Sequence, residues 1–165
     1  MLVTTTYLQM LSHPGRVVPP PRDGLLVMQA KHPTIAYYRF IYGEVGREWH
    51  WGRCNRLSDE ELAKIIHDPL QEVHVLYVDG VPAGFAELDR RTPGDIELLQ
   101  FGLIHDFLGQ GLGKFFLQRM IDHAFSYSPK RFWLHTCTLD HPIALAHYQK
   151  AGFTIYKEET AERKI

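Results

Sequence analysis

Residues 95–125 set the tightest limit on the fold. An apolar strand pattern, DIELLQFGLI, runs into three glycines within five positions, Gly109, Gly111 and Gly113, and straight out into helical spacing. After the glycines, Leu112, Phe115, Phe116, Met120, Ile121, Ala124 and Phe125 mark one helical face, and Lys114, Gln118, Arg119, Asp122 and His123 mark the other. A further strand pattern follows at 131–138 (RFWLHTCT), then a short helix over Pro142–Ala151 with Gly152 just beyond its end, then a last strand, FTIYKEE. Strands that flank a helix in this order predict an α/β layered domain with a mixed sheet.

The loop itself excludes two nucleotide-binding patterns. A Walker A loop needs G-x-x-x-x-G-K-[ST], but position 108 is Leu and position 115 is Phe, so the magnesium-ligating hydroxyl is missing. A dinucleotide fingerprint needs a third glycine where Lys114 stands, and no acidic residue follows in a βαβ context. A G-x-G-x-G turn remains. Without Cβ atoms, successive N–H groups can converge at a helix N-terminus, where partial positive charge favours a phosphate; Lys114 can add a charge contact. A glycine-rich turn that only connects strand to helix has the same pattern.

Upstream, Thr34 is placed to cap a helix carrying IAYYRFIYGEV, and SDEE at 58–61 is a capping box opening a second. EVHVLYV and VPAGFAEL flank Asp79-Gly80, which predicts a hairpin because both turn positions tolerate positive φ. Two strand-like runs, Val3–Leu11 and Leu25–Ala30, are joined by the proline-rich HPGRVVPPPRDG. At 165 residues, 45% apolar and 22% charged, the chain is sized for one buried core rather than for disorder. A formal net charge of −1 gives no footprint for a nucleic-acid partner. No apolar run approaches the ~20 residues of a membrane helix, and MLVTTTYLQM lacks a signal-peptide pattern. Cys54 and Cys137 are far apart and form no CxxC pair. A cytoplasmic protein without membrane or nucleic-acid partners is expected, and a homodimer is compatible with these features.

LGQGLG at 108–113 followed by HPIALAHYQKAGF at 141–153 resembles the GCN5-related N-acetyltransferase (GNAT) superfamily. Its central helix opens on [QR]-x-x-G-x-[GA], and its later helix often reads N-x-x-A-x-x-x-Y-x-x-x-G-F. Ala144, Tyr148, Gly152 and Phe153 fall in register, while Leu108 stands for the usual Gln or Arg and His141 for the usual Asn. The resemblance covers Val73 to the C-terminus. It implies one GNAT-like α/β domain over residues 1–165, with a mixed, mostly antiparallel sheet splayed at the cofactor site and flanked by helices. Residues 73–165 would bind acetyl-CoA and residues 1–70 would form a variable acceptor side.

The resemblance further implies that the backbones of Leu103, Ile104 and His105 pair with pantetheine. It places the pyrophosphate on Leu108, Gly109, Gln110, Gly111, Leu112, Gly113 and Lys114, with His141 near the cofactor. A tyrosine at Tyr148 lies by the thioester sulfur in the family and acts as general acid; spacing alone also allows a half-buried aromatic. Glu97, on the strand entering the loop, is the candidate base, or a substrate-orienting or solvent-facing carboxylate. Tyr38, Trp49 and Trp51 are candidate acceptor residues, the two tryptophans flanking His50 in a loop; core packing accounts for the front-half aromatics equally. His135, His141 and His147 recur every six residues but without HExxH, so no metal is expected. Cys137 reads as a small strand residue, and direct transfer without a covalent enzyme intermediate is the family pattern. The expected activity is acetyl transfer from acetyl-CoA to a primary amine, of a small molecule rather than a highly basic protein tail. A protein N-acetyltransferase and a non-catalytic acyl-CoA-binding sensor or scaffold are the alternatives.

Overall fold

A computed structural model describes residues 1–49 and 51–164; His50 and Ile165 lie outside the described residues. In chain order the elements are β1 (Leu2–Met10), β2 (Leu25–Ala30), α1 (Ile35–Gly46), α2 (Asp59–Ile66), β3 (Gln71–Val78), β4 (Val81–Asp89), β5 (Asp95–Leu103), α3 (Leu112–Phe125), β6 (Arg131–Cys137), α4 (Ala144–Ala151) and β7 (Thr154–Glu162). Seven strands form one sheet in the order β2-β3-β4-β5-β6-β1-β7. Only β5 and β6 pair parallel; the other neighbours are antiparallel. This is the mixed, mostly antiparallel α/β sheet flanked by helices that the sequence predicts. No helix among the described residues is long and apolar enough to cross a membrane.

Local chemistry explains the element ends. Thr34 Oγ1 accepts the Tyr37 N–H at 3.1 Å to cap α1. At α2 the Ser58 hydroxyl accepts the Glu61 N–H, and Glu61 Oε2 in turn accepts the Ser58 N–H, each at 3.1 Å. Asp79 and Gly80 both have positive φ, 49° and 82°, closing the β3–β4 hairpin. The last helix starts two residues later than expected: Pro142 and Ile143 form a turn in which the Ala144 N–H donates to His141 O at 2.9 Å.

The sheet separates two cores. One face packs under α3 and α4, around Leu8, Leu88, Phe116, Phe132 and Leu134; the other packs under α1 and α2, around Tyr38, Ile41, Val75 and Phe85. Gln118, expected on the polar face of α3, is instead 2% exposed, its amide donating to Asp122 Oδ1 at 2.9 Å. The proline-rich segment crosses this side of the molecule on its way from β1 to β2 and contacts Asp122, the partner of Gln118. Along the way His13 Nε2 meets Asp122 Oδ1 at 2.7 Å, and Arg16 donates to Lys150 O at 2.6 Å. Farther on, Pro21 lies within van der Waals reach of a Cβ at Gly111. α3 is thus covered on a second side.

Candidate active site

The cleft begins where the parallel pairing stops. β5 and β6 pair only over Asp95–Glu97 with Arg131–Trp133. Immediately after, Leu98 faces Leu88 and Gln100 faces Glu87, which leaves Leu99 unopposed as a β-bulge. The extra residue reverses the alternation: Ile96 and Leu98 before it, and Phe101 and Leu103 after it, all reach the α3-side core. Past the bulge β5 and β6 part, and a cavity of about 440 Å³ opens between them.

Backbone groups on its walls are free to bind. The Ile104 N–H donates to Ala83 O at 2.8 Å, with Leu103 opposite Gly84. In an antiparallel ladder that phase turns the N–H and C=O of Leu103, and of Phe101 two residues earlier, away from β4 and into the cleft. Leu103 therefore stands where a strand-like ligand can pair, whereas the Ile104 N–H, expected to do the same, is committed to β4. His105 is not on the cavity wall; its Nδ1 lies 3.0 Å from Glu48 Oε1.

At the loop, Gly109 and Gly111 hold φ of 75° and 76°, which L-residues with side chains rarely adopt. The first helical bond of α3 runs from Phe115 N–H to Gly111 O at 3.5 Å. The N–H groups of residues 109–114 precede it and have no acceptor among the described residues. A row of open donors at the N-terminus of a 14-residue helix fits a phosphate-bearing group. Leu108, Gly109, Gly111, Leu112, Gly113 and Lys114 line the cavity; Gln110 does not, its amide donating to Asp106 O at 3.3 Å.

From α4 and the turn before it, Tyr148, His147, His141 and Asp140 complete the wall. Tyr148 is 9% exposed; burial, helped by the Asp140 charge, raises its hydroxyl above the usual tyrosine range. Asp140 is fixed by the Cys137 N–H at 2.9 Å and the Thr136 hydroxyl at 2.6 Å. His141 Nδ1 accepts the Ile143 N–H at 3.2 Å, and its ring centroid lies 4.9 Å from that of Trp49. His135, His141 and His147 all face the cavity, and among the described residues they do not converge as a metal set.

Glu97 does not line the cavity. Its Oε1 lies 3.8 Å from Nε2 of His135, which does. Burial, with the neighbouring Asp89 charge, pushes the Glu97 carboxyl up to about 7, and burial pushes His135 below its usual value. Trp49 and Trp51 are on the wall as expected. Tyr38 is not: it is 1% exposed in the α1-side core, its hydroxyl bonded to the buried carboxylate of Glu87. Helical periodicity decides this, since Tyr38, Ile41, Tyr42 and Val45 share the buried face of α1. Phe101 and Asp140 were not singled out by sequence, and His135 was weighed only as one of three histidines for a metal. Only the bulge and the splay bring them to one place, and no local motif signals either.

The sequence model described as the acetyltransferase (GNAT) family matches residues 31–153. No curated protein sequence matches the chain. Among solved structures it is similar to a GCN5-related N-acetyltransferase from Kribbella flavida, at 17% identity and TM-score 0.65, over 92% of this chain and 54% of that one. A functionally unknown conserved protein from Staphylococcus epidermidis aligns at 17% identity and TM-score 0.69, over 97% and 60%. A GNAT family acetyltransferase from Elizabethkingia anophelis, solved with acetyl-CoA bound, aligns at 18% identity and TM-score 0.59, over 82% and 80%. The chain thus spans less than two thirds of the length of the first two.

Proposed function

The chain belongs to the acetyltransferase (GNAT) family, and from that premise we propose that it transfers an acetyl group from acetyl-CoA directly to a primary amine, that of a small molecule. The observation that carries this reading is the splay of β5 from β6 at the Leu99 bulge, with open backbone donors on one wall and Tyr148 on the other.

In this reading the N–H groups of residues 109–114 hold the pyrophosphate, with the Lys114 ammonium beside them, and Leu108 presents no polar side chain there. The cleft-facing backbone of Phe101 and Leu103 holds the pantetheine arm as an added strand would. The bound thioester supplies the acetyl group and a thiolate leaving group. Tyr148 stays protonated throughout the working range, so it is a hydrogen-bond donor to the developing thiolate; full proton transfer to a thiol of ordinary pKa ~8.5 is uphill.

An alkylammonium of pKa ~10.4 facing a carboxyl of ~4.3 is mismatched by roughly 8 kcal/mol. With the Glu97 carboxyl at about 7, the gap falls to about 5 kcal/mol. His135, kept neutral by burial, sits on the wall between the cavity and Glu97 and can take the amine proton first. Trp49 and Trp51 give the acceptor end an aromatic wall.

Calorimetry with acetyl-CoA tests the shared premise, and absence of binding overturns it. Release of free thiol during a screen of small amines and amino-terminal peptides then separates the outcomes. Turnover with a small amine supports the proposal; turnover with peptides alone, or binding with no turnover, replaces it with a protein acetyltransferase or an acyl-CoA sensor.

A further inference from the structure

Away from the cleft, three side chains from two distant parts of the chain meet. Glu72 and His74 are two residues apart on β3, so both point to the α3 face of the sheet, and His123 comes from the last turn of α3. Nε2 of His74 and Nε2 of His123 each lie 2.8 Å from the same oxygen, Glu72 Oε1. The three donor atoms lie within 4.8 Å of one another. The other carboxylate oxygen, Oε2, is held by Arg90 Nε at 2.7 Å and by the Tyr127 hydroxyl at 2.5 Å.

We propose that Glu72, His74 and His123 form a site for a divalent transition-metal ion, of which Zn²⁺ is the best match. Two imidazoles and one carboxylate are a donor set suited to zinc and its neighbours, with a fourth position left for water. Arg90 and Tyr127 fix the carboxylate by its far oxygen and so present Oε1 alone, the orienting role that outer partners play at metal centres. Donors ~2.1 Å from a tetrahedral ion stand about 3.4 Å apart, so each histidine has to retreat by only about half an ångström from Oε1. His123 has the room: its side chain is 33% exposed, against 4% and 1% for His74 and Glu72, and it forms the entry side.

Without an ion, both imidazoles donate Nε2–H to Oε1, and the carboxylate is satisfied by four donors. Binding replaces the two Nε2–H···Oε1 hydrogen bonds with bonds from Nε2 of each ring and from Oε1 to the ion, and each neutral imidazole keeps its ring proton by carrying it on Nδ1 instead. The ion ties the C-terminal end of α3 to β3, while the opposite end of that helix carries the glycine loop, about 17 Å away along the axis. It is thus a structural tie, independent of acyl transfer.

The test is titration of the metal-free full-length protein with Zn²⁺ against a chromogenic chelator, and with Co²⁺ by visible absorption. One saturable equivalent is expected, with d–d bands of a tetrahedral nitrogen and oxygen site and no thiolate charge-transfer band from Cys54 or Cys137. At a hundredfold excess over Kd, Zn²⁺ should raise Tm by roughly 5–10 °C. His123→Gln should weaken binding at least tenfold while the far-UV spectrum is retained. His123→Cys should bind Co²⁺ with a new thiolate charge-transfer band, which arises only if position 123 is a ligand. Absence of a saturable equivalent, unchanged affinity in His123→Gln, or no such band in a folded His123→Cys would overturn the proposal.

Discussion

Glu97 stands behind His135: its carboxylate lies 3.8 Å from the imidazole, and of the two only the imidazole is on the cavity wall. The two groups are tuned in opposite directions by the same burial, the carboxyl up to about 7 and the imidazole downward. Each is therefore shifted toward its neutral form: the imidazole is left able to accept a proton, and the carboxyl becomes a stronger base that accepts one only where it is ionised, above about 7.

In the proposed reaction, that pairing should set the pH dependence of turnover. The proton-accepting form of Glu97 exists above its raised value, so kcat/KM should climb with pH and level off above about 7. Glu97→Gln should lower kcat by about a hundredfold and flatten the climb. A rate profile measured on Glu97→Gln that keeps the inflection near neutrality would move the base elsewhere.

Folding stability should respond to the same group with the opposite slope. A carboxyl near 4.5 in the unfolded chain and about 7 in the fold binds its proton more tightly when folded, so its contribution is intact at acid pH and is lost as pH rises between these values. Glu97→Gln should consequently stabilise the protein at pH 8 by about 3 kcal/mol and change little at pH 4.5. Equal denaturant midpoint shifts at both pH values would contradict the raised carboxyl.

On the opposite wall, Tyr148 is buried next to Asp140 and keeps its proton. In the proposed reaction, removing the hydroxyl takes away a donor that is used only as charge grows on the leaving sulfur. Tyr148→Phe should lower kcat by about a hundredfold and leave acetyl-CoA affinity within about twofold. Calorimetry and single-turnover rates on the same preparation check both halves, and a near-wild-type rate would remove Tyr148 from the chemistry.

What was legible in the sequence was local. Thr34 and the Ser58–Glu61 box announce their helices, Asp79-Gly80 its hairpin, and the 109–113 glycines their strand-to-helix turn, because each is decided within four or five residues. What was not legible depends on pairing between distant segments. Nothing near Leu2–Met10 says that this strand inserts between β6 and β7, or that the prolines after it reach Gly111. The Leu99 bulge exists only relative to Glu87 and Leu88, and the meeting of Glu72 with His123 spans 51 positions. Tyr38 illustrates the converse, since an aromatic in the expected acceptor region was claimed by the core its helix had to cover.

Gly102 offers a way to perturb the proposed acceptor end while sparing the glycine loop. Its Cα lies so close to α1 that a Cβ would stand 2.5 Å from Val45 Cγ1 and 3.5 Å from Trp51 Cη2. The first distance is a clash, so Gly102→Ala must push Val45, and with it the end of α1, away from β5. Both Val45 and Trp51 line the cavity. Overpacking of this kind costs about 1–3 kcal/mol of stability. Its functional effect should fall on the acceptor: KM for the amine should rise several-fold, while the 109–114 donors, on the far side of Leu103, keep their geometry. Acetyl-CoA affinity should thus change by less than about threefold. Paired measurements of amine KM and acetyl-CoA Kd decide the matter. Equal losses in both would mean that α1 and the glycine loop move as one unit, and an unchanged amine KM would place the acceptor away from Trp51.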